Sequence, residues 1–308
     1  MKSVQIQLTT KCEQRCYMCR QYTWESKSMS IEDLFNVLDK YCSNDKKCTI
    51  TFTGGDPLSY DKLKELNEKI KEKGIIYQVF TNLYYKLNDE QNEFLLNAEI
   101  VQISFDGSNA EIYKNVRNPV NDVTYGRFIS NIKWLKKNNV LVKLNCTLSK
   151  KNYFDFKNIF DFAFINWLNI RFFQVHTNEN AFLEKQMYEY LMNSIDMIKK
   201  LQNRSKMIDD FVKEKTNIEK IKIGGMKPYK GKCFVKNEHL VVLADGTKYP
   251  CCRATNDNGE DWEGKYKIEN LNDLDDPDIL YEFCKYCDRY RKFNENWDNY
   301  MKLDKVYL

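Results

Sequence analysis

Six short runs rich in β-branched and aromatic residues recur along the first two thirds of the chain, and segments of helical periodicity separate them. The runs are SVQIQL (3–8), CTITFTG (48–54), IIYQVFT (75–81), EIVQISF (99–105), VLVKLNCT (140–147) and IRFFQV (170–175). Helical patterns lie near 30–42, 60–73, 88–97, 123–138 and 152–166. In the first of these, Ile31, Leu34, Phe35 and Leu38 share one face and Ser30 stands at the N-cap position. Parallel strands need a crossover between them, usually a helix, and the alternation supplies one each time. It predicts an α/β chain with a parallel sheet and helices packed outside it. In such an architecture the functional loops gather at the C-terminal ends of the strands.

After the sixth run a helical stretch covers roughly 182–217, and a Lys-rich segment with Gly224, Gly225, Pro228 and Gly231 reads as a connector. HLVVLADGTKYPCC then has the form of a hairpin, with its turn at Asp245 and Gly246. The net charge of 48 − 44 = +4 is too small to argue for nucleic acid. No apolar run reaches membrane-spanning length, and the N-terminus MKSVQIQLTT lacks the apolar core of a secretion signal. The expected location is the cytoplasm, where thiols stay reduced. Of the eleven cysteines, eight fall into two clusters, 12–19 and 233–287, with a long gap between. That distribution suggests two metal sites. With only His176 and His239 present, mixed His/Cys zinc chemistry at both is improbable.

The first cluster is TTKCEQRCYMCRQY, with Cys12, Cys16 and Cys19 at spacing C-x3-C-x2-C. Its surroundings, Lys11, Glu13, Gln14, Arg15 and Arg20, make it a polar loop and a poor place for buried apolar thiols. A zinc knuckle would need a fourth ligand nearby, and none is present. A three-thiolate iron–sulfur site fits, and it leaves the fourth iron of a cubane open to a ligand that is not protein.

This motif resembles that of the radical S-adenosylmethionine (radical SAM) enzymes, with Tyr17 in the aromatic slot between the last two cysteines. The resemblance implies that Cys12, Cys16 and Cys19 ligate a 4Fe–4S cluster whose open iron takes the amino and carboxylate groups of S-adenosylmethionine. One electron then cleaves the sulfonium to a 5′-deoxyadenosyl radical. Further matches follow in order along residues 1–205. Gly54, Gly55, Asp56 and Pro57 are similar to the family's Gly-Gly-Glu-Pro turn, which binds the cofactor's amino group, with aspartate in place of glutamate. ISFDG supplies Ser104 and Asp106, and Arg117 corresponds to an arginine that pairs with the cofactor carboxylate. Thr81, Asn82 and Asn145 resemble ribose or adenine contacts. The fold implied is a partial (β/α)6 TIM-like barrel.

The second cluster, Cys233, Cys251, Cys284 and Cys287, resembles the opening half of the SPASM module, and residues 288–308 add no further cysteine. This truncated form, a twitch domain of hairpin and helix, implies one auxiliary 4Fe–4S cluster. Cys252 is the alternative ligand to Cys251, and a four-cysteine zinc ribbon is the alternative reading of the site. The domain organisation is then 1–205 radical SAM core, 206–232 helical and basic connector, and 233–308 twitch domain.

The activity implied is hydrogen abstraction from a C–H bond of a peptide, leading to a crosslink or an epimer, or of a small polar metabolite. A twitch-type dehydrogenase of a sugar or aminocyclitol alcohol is a second reading, and a zinc-binding RNA-interaction protein a third of another class. An external one-electron donor such as a flavodoxin or ferredoxin is expected, and neither nucleic acid nor membrane. The first strand begins at residue 3, so no leader-recognition domain is expected before it. Cys146, near the end of the fifth strand, and Cys252 are candidate thiol hydrogen donors; Cys42 and Cys48 read as core filler. Reconstituted protein is expected to carry about eight irons per chain. Replacing Cys12, Cys16 and Cys19 with Ala should remove about half of them, and zinc at the second site with four irons elsewhere would contradict the two-cluster arrangement.

Overall fold

The computed structural model describes residues 3–19, 25–41, 48–175, 183–202 and 239–249. Cys42, the connector 206–232, Cys233, Cys251, Cys252, Cys284 and Cys287 lie outside them. Within the described residues the chain runs β1 (Ser3–Thr9), α1 (Ile31–Tyr41), β2 (Thr49–Gly54), α2 (Leu63–Lys73), β3 (Tyr77–Thr81), α3 (Asp89–Leu96) and β4 (Ile100–Ser104). It continues with α4 (Ala110–Arg117), α5 (Tyr125–Lys137), β5 (Leu141–Leu148), α6 (Phe156–Ile165), β6 (Asn169–Gln174), α7 (Lys185–Gln202), β7 (His239–Val242) and β8 (Lys248–Tyr249).

The sheet order is β6-β5-β4-β3-β2-β1-β7-β8. All neighbouring pairs from β6 through β7 are parallel, and β7–β8 is antiparallel. Among the described residues the sheet keeps two edges, consistent with a partial barrel. Sequence alternation decides what each face carries. Val4 and Ile6 of β1 register with Ile50 and Phe52 of β2, and these in turn with Tyr77 and Val79 of β3. This row is fully buried against helical residues such as Leu34, Leu38, Leu66, Phe94 and Phe128. The opposite, inner face is mixed: Thr51, Gln78, Gln102, Lys143, Asn145 and Arg171 stand at the intervening positions beside the apolar Phe80, Ile100, Leu141 and Phe173.

Local signals place the helix ends. Ser30 Oγ accepts from Asp33 N at 3.0 Å, as the N-cap reading requires. Asn88 and Gln91 form a reciprocal capping box on α3. Gly74 closes α2 in the left-handed conformation, φ 60°. All six strands sit where the hydrophobic runs place them, and the Asp245–Gly246 turn joins β7 to β8 with Gly246 at φ 80°.

Two features lie beyond the sequence pattern. α4 is a short helix between the fourth and fifth strands, capped by Asn109 on Ile112 N and ended by Asn118 at φ 42°. β7 does more than form a hairpin, because it pairs in parallel with β1 and extends the core sheet. Among the described residues no helix is long and apolar enough to cross a membrane.

Candidate active site

Residues 10–19, which carry the three clustered cysteines, form no regular secondary structure beyond one bridge, Gln14 to Pro119. Their backbone groups must therefore be satisfied from outside. One support is the turn after β2. Gly55 N donates to Thr9 O at 2.7 Å and Asp56 N to Lys11 O at 2.8 Å. A Cβ on Gly55 would lie 2.3 Å from the carbonyl oxygens of Thr10 and Lys11, and one on Gly54 2.4 Å from that of Thr9. The glycines are thus required by backbone meeting backbone. Another support is the C-terminus of α4, whose last carbonyls have no partner within the helix. Tyr17 N donates to Val116 O at 2.8 Å, and Arg15 N to Arg117 O and Asn118 O at 3.2 and 3.0 Å. Gln14 Nε2 adds a bond to the Tyr113 hydroxyl at 3.0 Å.

Cys16 is buried; Cys12 and Cys19 are partly exposed. Asn82 Nδ2 lies 3.5 Å from Cys12 Sγ, and Arg117 Nη1 3.5 Å from Cys16 Sγ, each placed to donate to sulfur. Burial, with the negative charge of Asp56 and the neighbouring thiols behind it, pushes the Cys12 thiol upward. Burial likewise raises Cys16, against the pull of Arg117. These thiols favour their neutral form until a metal displaces the proton. Among the described residues no group of three His, Cys, Asp or Glu side chains is set to hold a single metal ion. A sulfide-bridged cluster spreads its thiolates over several irons, and the donor set of three cysteines on one loop fits it.

Two buried carboxylates brace the loop. Asp56 is 1% exposed and accepts from Leu58 N, Thr81 Oγ1 and Asn82 N, the last at 2.6 Å. Burial pushes its carboxyl up to about 6, against the pull of these donors. Asp56 therefore ties the end of β2 to the end of β3 and aims Asn82 at Cys12. Asp106, fully buried, accepts from Thr147 N at 2.6 Å and is ion-paired with the guanidinium of Arg117. Arg117 thus links the end of β4, through Asp106, to the sulfur of Cys16. Tyr17, within the loop, has the Lys151 ammonium 4.5 Å from its ring centre.

On the inner face, Ser104 of β4, Asn145 of β5 and Arg171 of β6 form one lateral row. Asn145 Nδ2 donates to Gln102 Oε1 at 3.3 Å, and Gln102 Nε2 to Gln78 Oε1 at 2.9 Å. The Asn145 Oδ1 is buried without a partner. A buried acceptor of this kind is able to take a donor from a ligand. Cys146 is at the C-terminal end of β5 but one residue out of phase with Asn145. It is fully buried on the helix-facing side, with Asn152 Nδ2 4.0 Å from its sulfur.

The internal roles of Asp56 and Asp106 carry no local signature, because their partners are 11 to 41 positions away for Arg117, Thr81, Asn82 and Thr147. Asn152, fully buried and donating to Asp106 O at 3.1 Å and Thr147 O at 3.0 Å, was equally silent in the sequence. Asp106→Asn strips the charge that compensates Arg117 and is expected to lower the unfolding free energy by about 3 kcal/mol. An unchanged denaturation midpoint would contradict the buried pair.

Residues 6–163 match the family model described as Radical SAM superfamily, and residues 233–302 the SPASM model, described as an iron–sulfur cluster-binding domain. An uncharacterized protein of Methanocaldococcus jannaschii is 26% identical over 162 residues, 49% of this chain and 54% of that one. The match thus spans about half the length of that curated relative. Among solved structures, native anSMEcpe with bound AdoMet is similar at a TM-score of 0.66 and 17% identity, over 94% of this chain and 88% of that one. SuiB of Streptococcus suis bound to S-adenosylmethionine is similar at 0.61 and 15%, over 94% and 66%. At these identities the likeness is one of fold.

Proposed function

Because the chain belongs to the radical SAM superfamily and carries a SPASM iron–sulfur domain, we propose that it removes hydrogen from a C–H bond of a peptide held over the inner face of its sheet. The observation that carries this reading is the loop of three cysteines without a fourth, braced beside an inner face that presents the unpartnered Asn145 Oδ1. S-adenosylmethionine and its cluster, when bound and given one electron, supply the radical that takes the hydrogen.

The chain's own residues do the holding. Cys12, Cys16 and Cys19 ligate the cluster. Asn82 and Arg117 donate to two of the sulfurs and hold negative charge there. The turn Gly54–Asp56 positions the cysteine loop and offers backbone oxygen to the cofactor's ammonium, while Ser104 and Asn145 meet its polar groups; the Thr81 hydroxyl, resembling a cofactor contact in the sequence, is instead engaged by Asp56 and Leu83 N. Arg117 keeps its Asp106 pair and turns its remaining donor capacity to the cofactor carboxylate. Cys233, Cys251 or Cys252, Cys284 and Cys287 hold the auxiliary cluster. Cys146 faces the helices, so we assign it to packing.

A peptide substrate is supported by the similar structures, since anSMEcpe is described with bound AdoMet and the Cp18Cys or Kp18Cys peptide. SuiB is likewise described bound to its precursor peptide SuiA. The anaerobically reconstituted chain, given S-adenosylmethionine and dithionite, is expected to form 5′-deoxyadenosine and methionine in equal amounts. Protein with intact clusters that forms neither would overturn the proposal.

A further inference from the structure

Lys143 of β5 and Arg171 of β6 stand on the inner face of the sheet. The register pairs Lys143 with Asn169 and Asn145 with Arg171. The two cations are therefore diagonal neighbours on adjacent strands. Alternation turns Leu144, Cys146, Ile170 and Phe172 to the opposite, buried side. Among the described residues neither cation has an ion pair or a side-chain hydrogen bond. Like charges this close work against the sheet. Burial and the Arg171 charge both lower the Lys143 ammonium, and Glu99, just before β4, pulls only weakly the other way.

Packing does not explain the pair. A neutral residue at either position would serve an inner face already lined by Gln78 and Gln102. The placement is informative, because Arg171 lies in the same lateral row as Ser104 and Asn145, the residues proposed to meet the cofactor. Phe173, the next inner-face residue of β6, is 39% exposed and gives the cations an apolar flank.

We propose that Lys143 and Arg171 together bind an oxyanion carried by the substrate, either the carboxylate of an acidic residue or a phosphate ester. The inference rests on the reading of the inner face as the substrate chamber. An anion here would anchor the substrate beside the cofactor, relieve the repulsion between the cations, and leave the reacting C–H bond on a neighbouring atom of the same molecule.

The test is calorimetric titration of the full, reconstituted chain at saturating S-adenosylmethionine and low salt. The probes are acetyl-Ala-Glu-Glu-Ala-amide against its Gln counterpart, and glycerol phosphate against glycerol. One acidic probe is expected to bind while its neutral partner does not, and which one it is identifies the source of the oxyanion. Lys143→Met and Arg171→Met are each expected to weaken that binding about tenfold or more, and Lys143→Arg to retain most of it. The visible absorption of the clusters reports whether each variant is folded. Acidic probes that bind no better than neutral ones, or binding that survives both Met substitutions, would overturn the proposal. So would weakened S-adenosylmethionine binding in both variants with probe binding unchanged, because the pair would then belong to the cofactor. Wild-type protein that forms 5′-deoxyadenosine yet binds neither acidic probe refutes this inference alone. Failure to form it refutes the function beneath.

Discussion

The cysteine loop is gripped by backbone hydrogen bonds from the turn after β2 and the end of α4, with Lys27 and Val120 adding further bonds, and the rest of the site depends on that grip. A loop of this kind has no ladder of its own, so every amide not paired externally would be a cost. The turn after β2 takes the carbonyls of Thr9 and Lys11, and the C-terminal end of α4 takes the amides of Arg15 and Tyr17. Each partner solves its own problem in the process. α4 gains donors for its terminal carbonyls, and Gly54 and Gly55 are fixed by an approach that no side chain would permit. The three sulfurs are thereby referred to strand ends and a helix end, which are the rigid parts of the fold.

Electrostatics completes the arrangement. A cluster ligated by thiolates is negative, and it must be placed where negative charge is tolerated. Asp106 is a buried anion close to the same sulfur, so its presence would be unfavourable without Arg117. The guanidinium serves both, ion-paired to the carboxylate and 3.5 Å from Cys16 Sγ. Asp56 and Asn82 repeat the device on the other side with neutral donors, Asn82 being held by Asp56 and directed at Cys12. The two acidic residues that follow β2 and β4 are thus structural anchors through which the donors to sulfur are aimed.

The sheet was legible because its signals are local. Period-2 runs such as TITFTG and helical stripes such as Leu34 and Leu38 are written within single segments, and the structure buries them accordingly. α4 was missed because eight residues give too few turns for a period, although Asn109 and Asn118 marked its two ends. The β1–β7 pairing joins segments 236 positions apart and has no local trace. At the site, the cysteine spacing and the Gly-Gly turn were readable. The opposite facing of Asn145 and Cys146 followed only once the register of β5 with β4 was known. The cysteine and Gly-Gly motifs were legible in the sequence, whereas the charges that brace them were visible only in three dimensions.

The central claim is that three protein thiolates leave one iron of the N-terminal cluster for S-adenosylmethionine. Electron–nuclear double resonance on the reduced protein tests it directly, using cofactor labelled with nitrogen-15 at the amino group and oxygen-17 at the carboxylate. Both labels are expected to show hyperfine coupling to the cluster spin, as atoms bound to an iron must. An intact reduced cluster with bound cofactor and no coupling from either label would contradict the claim.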